Sequence, residues 1–224
     1  MRAMTRKVKL TSKPRPYDAR RRREAAATTR NLVVTTASRL FAHRGYAATT
    51  VAAIASAAGV AVDTVYASVG PKPVLFRLLI ETAISGGDQA VLAEDRGYVQ
   101  QIRAEPDPGR KLDLYAHAIR EIQERLAPLF QVLQHAAPTD PQLDALWHEI
   151  GARRARNMQL LAAELAATGG LREDLSVDDV ADIIWATNSS EFFLLLVHDR
   201  DWDADRFEQW LARTWKELLL KRQT

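Results

Sequence analysis

One stretch decides the fold of the N-terminal third of the chain, Arg39 to Phe76, with the sequence RLFAHRGYAATTVAAIASAAGVAVDTVYASVGPKPVLF. An amphipathic helix precedes Gly45, and a glycine at that point can take the left-handed conformation that closes a helix. A second helix begins at Thr49 or Thr50, because threonine can cap free backbone amides. The glycine and the threonines therefore predict two helices joined by a tight turn.

The helices that follow must be short. Gly59 ends the second helix after about two turns. A third helix is predicted from Val62 to Ser68, and it must be equally short because Gly70 and Pro71 cannot continue it. Two short helices about a glycine turn are typical of a helix-turn-helix, in which the second helix enters the major groove of DNA. An ordinary corner between two helices of a core is the alternative.

Residues Thr50 to Leu75 resemble the DNA-binding domain of the TetR (tetracycline-repressor) family. The resemblance lies in Thr-x-x-x-Ile-Ala, then Ala-Gly-Val, then a recognition helix ending in Tyr66, then Lys72 at the start of the next helix. Weaker similarity to the last two helices of actinobacterial-type members covers the stretch ADIIWATNSSEFFLLLVHDRDWDADRFEQWLARTW. The resemblance implies an all-α chain of about nine helices, with a three-helix DNA-binding domain followed by a helical domain for ligand binding and dimerisation.

The chain departs from the family pattern at two positions of the recognition helix. Ala61 stands where the family commonly has a capping serine, and Val69 stands where it commonly has an aromatic residue. Loss of such a cap costs about 1 kcal/mol. The operator sequence therefore cannot be carried over from relatives.

The resemblance also implies roles for individual residues. Tyr66 and Lys72 would contact phosphates, and Thr49 and Thr50 would offer hydroxyl and backbone donors to neighbouring phosphates. Sequence choice would then depend on the arginines of the arm and on the remaining exposed residues of the recognition helix, which are Val62, Asp63 and Thr64. Asp63 can accept from a cytosine amino group, or it can simply favour the positive end of the helix dipole.

Charge is distributed unevenly along the chain. Residues 1–70 contain 13 Lys and Arg against 3 Asp and Glu, a net charge of +10, whereas residues 71–224 contain 18 against 25, a net charge of −7. A basic end is expected where a protein faces phosphate. We predict a mobile basic arm over residues 1–19, a DNA-binding domain over 20–70 and a helical domain over 71–224. The arginine run that follows residue 19 would also contact DNA; the run comprises Arg20, Arg21, Arg22 and Arg23. For residues 1–12 a solubilising tail is the alternative.

Composition excludes several classes of protein. The chain has 224 residues and 47% hydrophobic content, enough for a substantial core, and it has no cysteine for disulfides, thiolate zinc sites or thiol nucleophiles. No apolar run approaches the roughly 20 residues of a membrane span. The basic N-terminus is not followed by a hydrophobic signal region, so we expect a cytoplasmic protein.

Beyond Pro71 we predict six helices, with breaks at residues 86–108, at Pro128, at 138–141, at 169–176 and at 199–203. The last two helices, at about 177–197 and 203–220, carry apolar residues on more than one face. In the family that the chain resembles, this pair forms the interface of a homodimer, which binds a palindromic operator in double-stranded DNA. A pair buried within one chain is the alternative.

The remaining helices would enclose a cavity for a small-molecule effector of unknown identity. Arg154 is the one charged residue in an apolar stripe on the helix over 140–167. A buried guanidinium must be paired, and Glu191 is a possible ion-pair partner. An acidic effector in that place is the alternative. Aromatic and polar candidates for the same pocket are Phe130, Trp147, Trp185 and Asn188, each of which could instead be a core residue. We predict a small, largely apolar or aromatic effector.

These features favour a DNA-binding transcriptional regulator, by family expectation a repressor that an effector releases from its operator. A nonspecific basic DNA-binding protein of the nucleoid type is the first alternative. A helical enzyme is the second, but the sequence contains neither a Gly-rich phosphate loop nor a G-x-S-x-G motif, so we expect no enzyme activity. No cofactor is predicted, and no metal site either, since the histidines lack ligand spacing.

Overall fold

The computed structural model of the chain describes residues 16–87, 89 and 91–222. These residues form ten α-helices and no strand, which confirms the predicted all-α class. The helices are α1 (Pro16–Ala48), α2 (Val51–Ala58), α3 (Val62–Val69), α4 (Lys72–Ser85), α5 (Gly97–Ala104), α6 (Pro108–Ala136), α7 (Pro141–Ala167), α8 (Val177–Thr187), α9 (Ser190–Phe193, continuing into a π-helical turn over Leu194–His198) and α10 (Ala204–Leu219).

The first three helices form a small bundle. Helix α1 loses its helical backbone at Gly45 (φ 73°, ψ 177°), the position at which the sequence predicts its end. Three aromatic rings lie where α1 meets α4: the Phe41 and Phe76 ring centroids are 4.9 Å apart, and Tyr46 lies 5.2 Å from Phe76. Phe41 and Phe76 are fully buried. This aromatic cluster joins the bundle firmly to α4.

Helix α6 is the central helix of the larger domain, and it packs against α1, α4, α5, α7, α9 and α10. The predicted break at Pro128 is wrong, because α6 runs through it without interruption. A proline inside a helix removes one backbone hydrogen bond. Here the residues on either side, Ala127 and Leu129, are buried in the core, so tertiary packing holds the helix together across the missing bond.

Two other boundaries also differ from the prediction. The segment between residues 86 and 108, predicted as one long break, contains helix α5, whose Ile102 is buried. The long helix predicted over 177–197 is instead two helices, bent by 48°. The Ser189 side chain caps α9 by accepting from the Phe192 amide at 3.2 Å, which explains why a new helix starts there.

Helix α4 lies between the two halves of the molecule. Its first residue follows the predicted domain boundary at residues 70 and 71, and it packs against α1 on one side and against α6 and α7 on the other. Its last turn contains Ile84, which lines a cavity in the larger domain. A single helix thus reaches from the small bundle to that cavity.

Candidate nucleic-acid interface and cavity

Helices α2 and α3 meet at an angle of 102° across residues 59–61. Such an angle, with a turn of three residues, is that of a helix-turn-helix. Gly59 has the left-handed conformation (φ 66°, ψ 32°), and its amide donates to the carbonyls of Ala55 and Ser56. A side chain at this position would be strained. At the start of α3, Ala61 makes no side-chain capping bond, as its departure from the family pattern predicts.

The outer face of α3 is open to solvent. Tyr66 is 50% exposed and Val62 39%, whereas Val65 and Val69 are buried against α1 and α2. Asp63 is exposed in the first turn, and Thr64 is half-buried. Val62, Asp63 and Tyr66 are therefore accessible to solvent, and Thr64 is partly so.

The two adjacent threonines differ in position. Thr50 is exposed, and its hydroxyl caps α2 by accepting from the Ala53 amide at 3.0 Å. Thr49 is fully buried, and its hydroxyl donates to the carbonyls of Gly45 at 2.8 Å and Leu40 at 3.2 Å. The prediction that Thr49 faces DNA is therefore wrong: its polar atoms hold the end of α1 in place.

Lys72 begins α4 beside the same surface. Its ammonium nitrogen lies 4.0 Å from the centroid of the Tyr46 ring, a cation–π contact. Burial lowers the pKa of Lys72, and the carboxylate of Asp140 partly opposes that shift. Burial also raises the pKa of Tyr46 to about 12, with a smaller contribution from Asp140. The cation at the start of α4 thus lies between the aromatic cluster and the first turn of α7.

The arginine run does not belong to an extended arm. Arg20 to Arg23 are exposed on the first turns of α1, and the Arg20 guanidinium donates to Glu24 at 2.7 Å. Four consecutive helical residues point in different directions around the axis. The run therefore cannot present all its charges to one surface. The rest of the predicted arm, residues 1–15, lies outside the described residues.

The larger domain contains a cavity of about 160 Å³ between α4, α5, α6, α7 and the break before α9. Its wall is mostly apolar, with Ile119, Ile122 and Leu126 contributed by α6. Arginines line it as well, at positions 96, 103, 153 and 154, together with Glu94 and Glu164. An apolar wall with a few polar groups is the composition of small-molecule sites.

Buried polar side chains form a connected network at one end of this cavity. The Asn188 amide nitrogen donates to the Tyr115 hydroxyl at 2.8 Å. The Gln123 side-chain amide donates to the backbone carbonyl of Asn188 at 2.7 Å and accepts from the Ser190 hydroxyl at 2.7 Å. Burial is the main reason that the pKa of Tyr115 is raised, so its hydroxyl stays protonated. One side-chain atom of the network, Asn188 Oδ1, is buried without a hydrogen-bond partner.

Three of the six predicted ligand residues line the cavity: Phe130, Arg154 and Asn188. Trp147 lies behind the wall, with its ring centroid 4.8 Å from that of Phe130. Trp185 is 40% exposed, and the Arg154 guanidinium stacks on its ring at 4.3 Å.

Glu191, the third predicted residue outside the cavity wall, is exposed and makes no ion pair with Arg154. Instead, an Arg154 guanidinium nitrogen donates to the backbone carbonyl of Trp185 at 2.8 Å. In a continuous helix Glu191 and Asn188 would share one face. The break between α8 and α9 changes this register, which explains why Glu191 does not pair with Arg154 as predicted.

Several residues of the cavity were not predicted from the sequence. Tyr115, Ile119, Ile122 and Gln123 lie on one face of α6, at helical spacings of three and four. Their spacing is a visible signal, but the same spacing is expected of any core-facing helix. Arg96 is buried with its guanidinium bonded to the Val91 carbonyl, and no sequence pattern indicates it.

No group of three or more His, Asp or Glu side chains in the described part of the chain is arranged to hold a metal ion. No single described helix is long and apolar enough to cross a membrane, although two bent pairs, α2 with α3 and α8 with α9, pass on length and composition alone.

Comparison with known proteins relates this geometry to a family. Residues 33–72 match the sequence model of the bacterial regulatory proteins of the tetR family. These residues include the end of α1, all of α2 and α3, and the first residue of α4. No curated protein sequence matches the chain.

Solved structures match over most of the chain. NalD of Pseudomonas aeruginosa, the secondary repressor of the MexAB-OprM efflux pump, is 21% identical, with a TM-score of 0.67 over 89% of this chain and 100% of its own. The SmeT–triclosan complex is 18% identical (TM-score 0.68, 87% and 92%). KstR2 of Mycobacterium tuberculosis, a ketosteroid transcriptional regulator, is 19% identical (TM-score 0.59, 86% and 95%).

At these identities the solved structures establish a shared fold. The family model adds a match in sequence, and the residues that it matches are those that build the helix-turn-helix and carry its exposed face. The sequence match to the tetR family thus covers the helix-turn-helix over residues 33–72, and the solved structures share the fold of most of the chain.

Proposed function

We propose that this protein is a homodimeric transcriptional repressor that binds a palindromic operator in double-stranded DNA and leaves it when a small molecule occupies the cavity. The observation that carries the proposal is the open face of α3, presented at 102° to α2 in the helix-turn-helix. Regulation of genes places its action in the cytoplasm, where bacterial DNA lies. No catalytic activity is proposed.

The proposed DNA contacts follow from exposure. The Tyr66 hydroxyl would donate to a phosphate. The N-terminus of α4, with the cation of Lys72, would bind a second phosphate. Thr50 would add a hydroxyl from the start of α2. Val62, Asp63 and Thr64 would face base edges and decide sequence preference.

Small-molecule control is supported by the cavity and by similarity to NalD, a repressor, and to SmeT, which was solved with triclosan. The cavity touches α4, whose first turn belongs to the proposed DNA surface. A ligand that favours one position of α4 would shift the protein toward a conformation in which the two recognition helices no longer match successive grooves.

The proposed dimer interface comprises residues 177–197 and 203–220. Apolar side chains on these helices remain exposed in the single chain, among them Trp185 at 40%, Leu195 at 51% and Leu218 at 41%. A twofold interface would cover them. The two recognition helices of the dimer would then lie about 34 to 36 Å apart, one turn of DNA.

The experiment that tests the proposal is selection of binding sites from a random duplex pool, followed by fluorescence-anisotropy titration of the best site and a scrambled duplex across a salt series. We expect a preference of about a hundredfold or more for the selected site, saturating at two chains per duplex. Equal and steeply salt-dependent binding to both duplexes would contradict the proposal and favour the nonspecific nucleoid-type alternative.

Variants assign the contacts. Tyr66→Phe and Lys72→Ala should weaken binding to both duplexes alike, and Lys72→Ala should reduce the salt slope by about one per chain. Changing Val62 to Ala should instead alter the order of preference among sites. Lys221→Ala, at the far end of the chain and paired with Glu173, serves as a charge-matched control.

A further inference from the structure

Arg154 lines the cavity without an ion-pair partner among the described residues. Two of the cavity's arginines have carboxylate partners: Arg103 pairs with Glu164 at 3.2 Å, and Arg153 pairs with Glu81 at 2.9 Å. Arg154 has none within 4 Å among the described residues. The charge of Glu191 raises the pKa of Arg154, against a larger lowering by burial. The positive charge of Arg154 is therefore poorly compensated by protein groups.

The hydrogen-bond donors of Arg154 are also incompletely used. Among the described residues its hydrogen bond runs from Nη2 to the Trp185 carbonyl, and its Nε is buried without a partner there. The Trp185 ring supports the guanidinium from below at 4.3 Å. A planar cation held on an aromatic ring, with donors left over, is arranged to receive a carboxylate.

A second cation strengthens the positive character of the site. Arg96 is 8% exposed and donates twice to the Val91 carbonyl, but it has no carboxylate partner among the described residues. Both Arg96 and Arg154 act on the Tyr115 hydroxyl, whose pKa they lower against the larger raising by burial. The remaining carboxylate of the wall, Glu94, is exposed. The interior of the cavity thus has an uncompensated positive potential.

Asn188 provides an independent indication of a missing polar partner. Its side chain is 1% exposed, and its Oδ1 has no hydrogen-bond partner. Turning the amide over would let Oδ1 accept from the Tyr115 hydroxyl and would leave Nδ2 as the unpartnered atom, a donor. A buried polar group without a partner is costly, so a ligand that supplies one gains affinity.

We infer that the cavity takes a small apolar monocarboxylate, whose carboxylate binds Arg154 and, with the Asn188 amide turned over, accepts from Asn188 Nδ2, while its hydrocarbon part packs against Ile119, Ile122 and Phe130. This inference rests on the proposed function, since it names the class of effector. It also explains why an arginine stands in an otherwise apolar stripe of α7: the stripe faces a ligand that carries the complementary charge.

The test is calorimetric titration of the full chain at neutral pH with matched probes. Octanoate is compared with octanamide and octylammonium, and 3-phenylpropanoate with its amide, so that the shape of the hydrocarbon does not decide the result. Each acid should bind about tenfold or more tightly than its amide, because a hydrogen bond to a charged group is stronger than one to a neutral group. The inference fails if neither acid is preferred over its amide.

Variants locate the preference. Arg154→Gln should abolish the preference for the acid, and Arg154→Lys should restore part of it by restoring the charge. Arg103→Gln is the matched control, because it removes the same charge from the same wall but from an arginine that already has a carboxylate. An equal loss in Arg154→Gln and Arg103→Gln would overturn the role of Arg154, and thermal melts show whether each variant is folded.

The same proteins separate this inference from the proposed function. If octanoate binds through Arg154 and also releases the selected duplex, both stand. If it binds through Arg154 but leaves DNA affinity unchanged, the cavity chemistry stands and control by this ligand class is wrong. If DNA binding is specific but no acid is preferred over its amide, the regulator stands and the inference is wrong.

Discussion

Thr49 and Thr50 are adjacent in sequence but occupy different environments. The Thr49 hydroxyl is buried and bonds to carbonyls at the end of α1, whereas the Thr50 hydroxyl is exposed and caps α2. A single step along the chain turns a side chain from the core to the surface at a helix start. The structural role of one and the proposed DNA role of the other can therefore be separated by substitution.

We expect Thr49→Val to lower the free energy of unfolding by about 1 kcal/mol, because it removes a buried hydrogen bond while keeping the shape. Its DNA affinity should remain that of the natural protein. Thr50→Ala should cost a similar amount through the lost cap and should also weaken DNA binding. Urea denaturation and anisotropy titration measure the two effects, with Thr50→Ser as the control that keeps the cap. Equal DNA affinities of Thr49→Val and Thr50→Ala would contradict this assignment.

Arg154 shows at the same scale how one side chain can define a ligand class. Its stack on Trp185 and its bond to the Trp185 carbonyl hold the guanidinium in place before any ligand arrives. Preorganised groups bind more tightly because less ordering is needed on binding. This is the physical reason to expect a sharp distinction between an acid and its amide.

At the scale of elements, α4 and α7 are linked by two ion pairs. Arg77 pairs with Glu149 at 2.8 Å, and Glu81 pairs with Arg153 at 2.9 Å. The first pair is exposed on both sides, and the second is less exposed. Because Arg153 also lines the cavity, a change there reaches α4 through a direct contact.

We predict that these pairs contribute unequally to stability. A double-mutant cycle of Arg77→Gln and Glu149→Gln should give a coupling of about 0.2 to 1 kcal/mol at neutral pH, the range for exposed pairs. The less exposed pair of Glu81 and Arg153, tested with the same substitutions, should give a larger value. Coupling energies from urea denaturation decide the order, and a larger value for the exposed pair would contradict it.

The pH dependence of the exposed pair has a defined sign. A hydrogen bond from Arg77 lowers the pKa of Glu149 below its usual value of 4.5. A carboxyl whose pKa is lower in the folded state contributes its stability above the unfolded pKa, and that contribution is lost as the pH falls through the folded value. The coupling between Arg77 and Glu149 should therefore be constant above pH 6 and disappear in acid.

At the scale of the whole molecule, the proposed dimer makes the two recognition helices act together. We predict that Leu195→Glu shifts the protein toward monomers in sedimentation equilibrium, because it places a charge in a surface that the partner would cover. Specific DNA affinity should fall with it. Leu92→Glu is the control, since Leu92 is also an exposed leucine, at 66%, but lies away from the proposed interface. Unchanged association of Leu195→Glu would remove this face from the interface.

Effector control must also be reciprocal. If a carboxylate lowers DNA affinity by some factor, the selected duplex lowers carboxylate affinity by the same factor. In this molecule both effects would pass through α4, which begins with Lys72 at the proposed DNA surface and has Ile84 at the cavity.

The helix-turn-helix could be predicted from the sequence in detail. Its boundaries depend on Gly45, Gly59 and Gly70 and on the cap at Thr50, and these are local preferences of single residues. The exposed and buried faces of α3 follow from the helical period. What the sequence did not predict was which of two neighbouring threonines faces inward.

The larger domain depended on tertiary structure to a much greater degree. Local rules predict a break at Pro128, but packing on both sides keeps α6 continuous. The helix breaks at Asn188, and a new helix begins with the cap at Ser189. The apolar run that follows suggests one continuous helix, so the break was not predicted. The break decides which polar groups line the cavity.

The all-α class and the helix-turn-helix could be predicted from the chain, because caps, glycines and apolar periods act between residues a few positions apart. Helix packing was needed to show that Arg154 has no acidic partner among the described residues and that Tyr115 and Gln123 meet Asn188. These contacts join residues 31 to 73 positions apart, and helix packing alone brings them together.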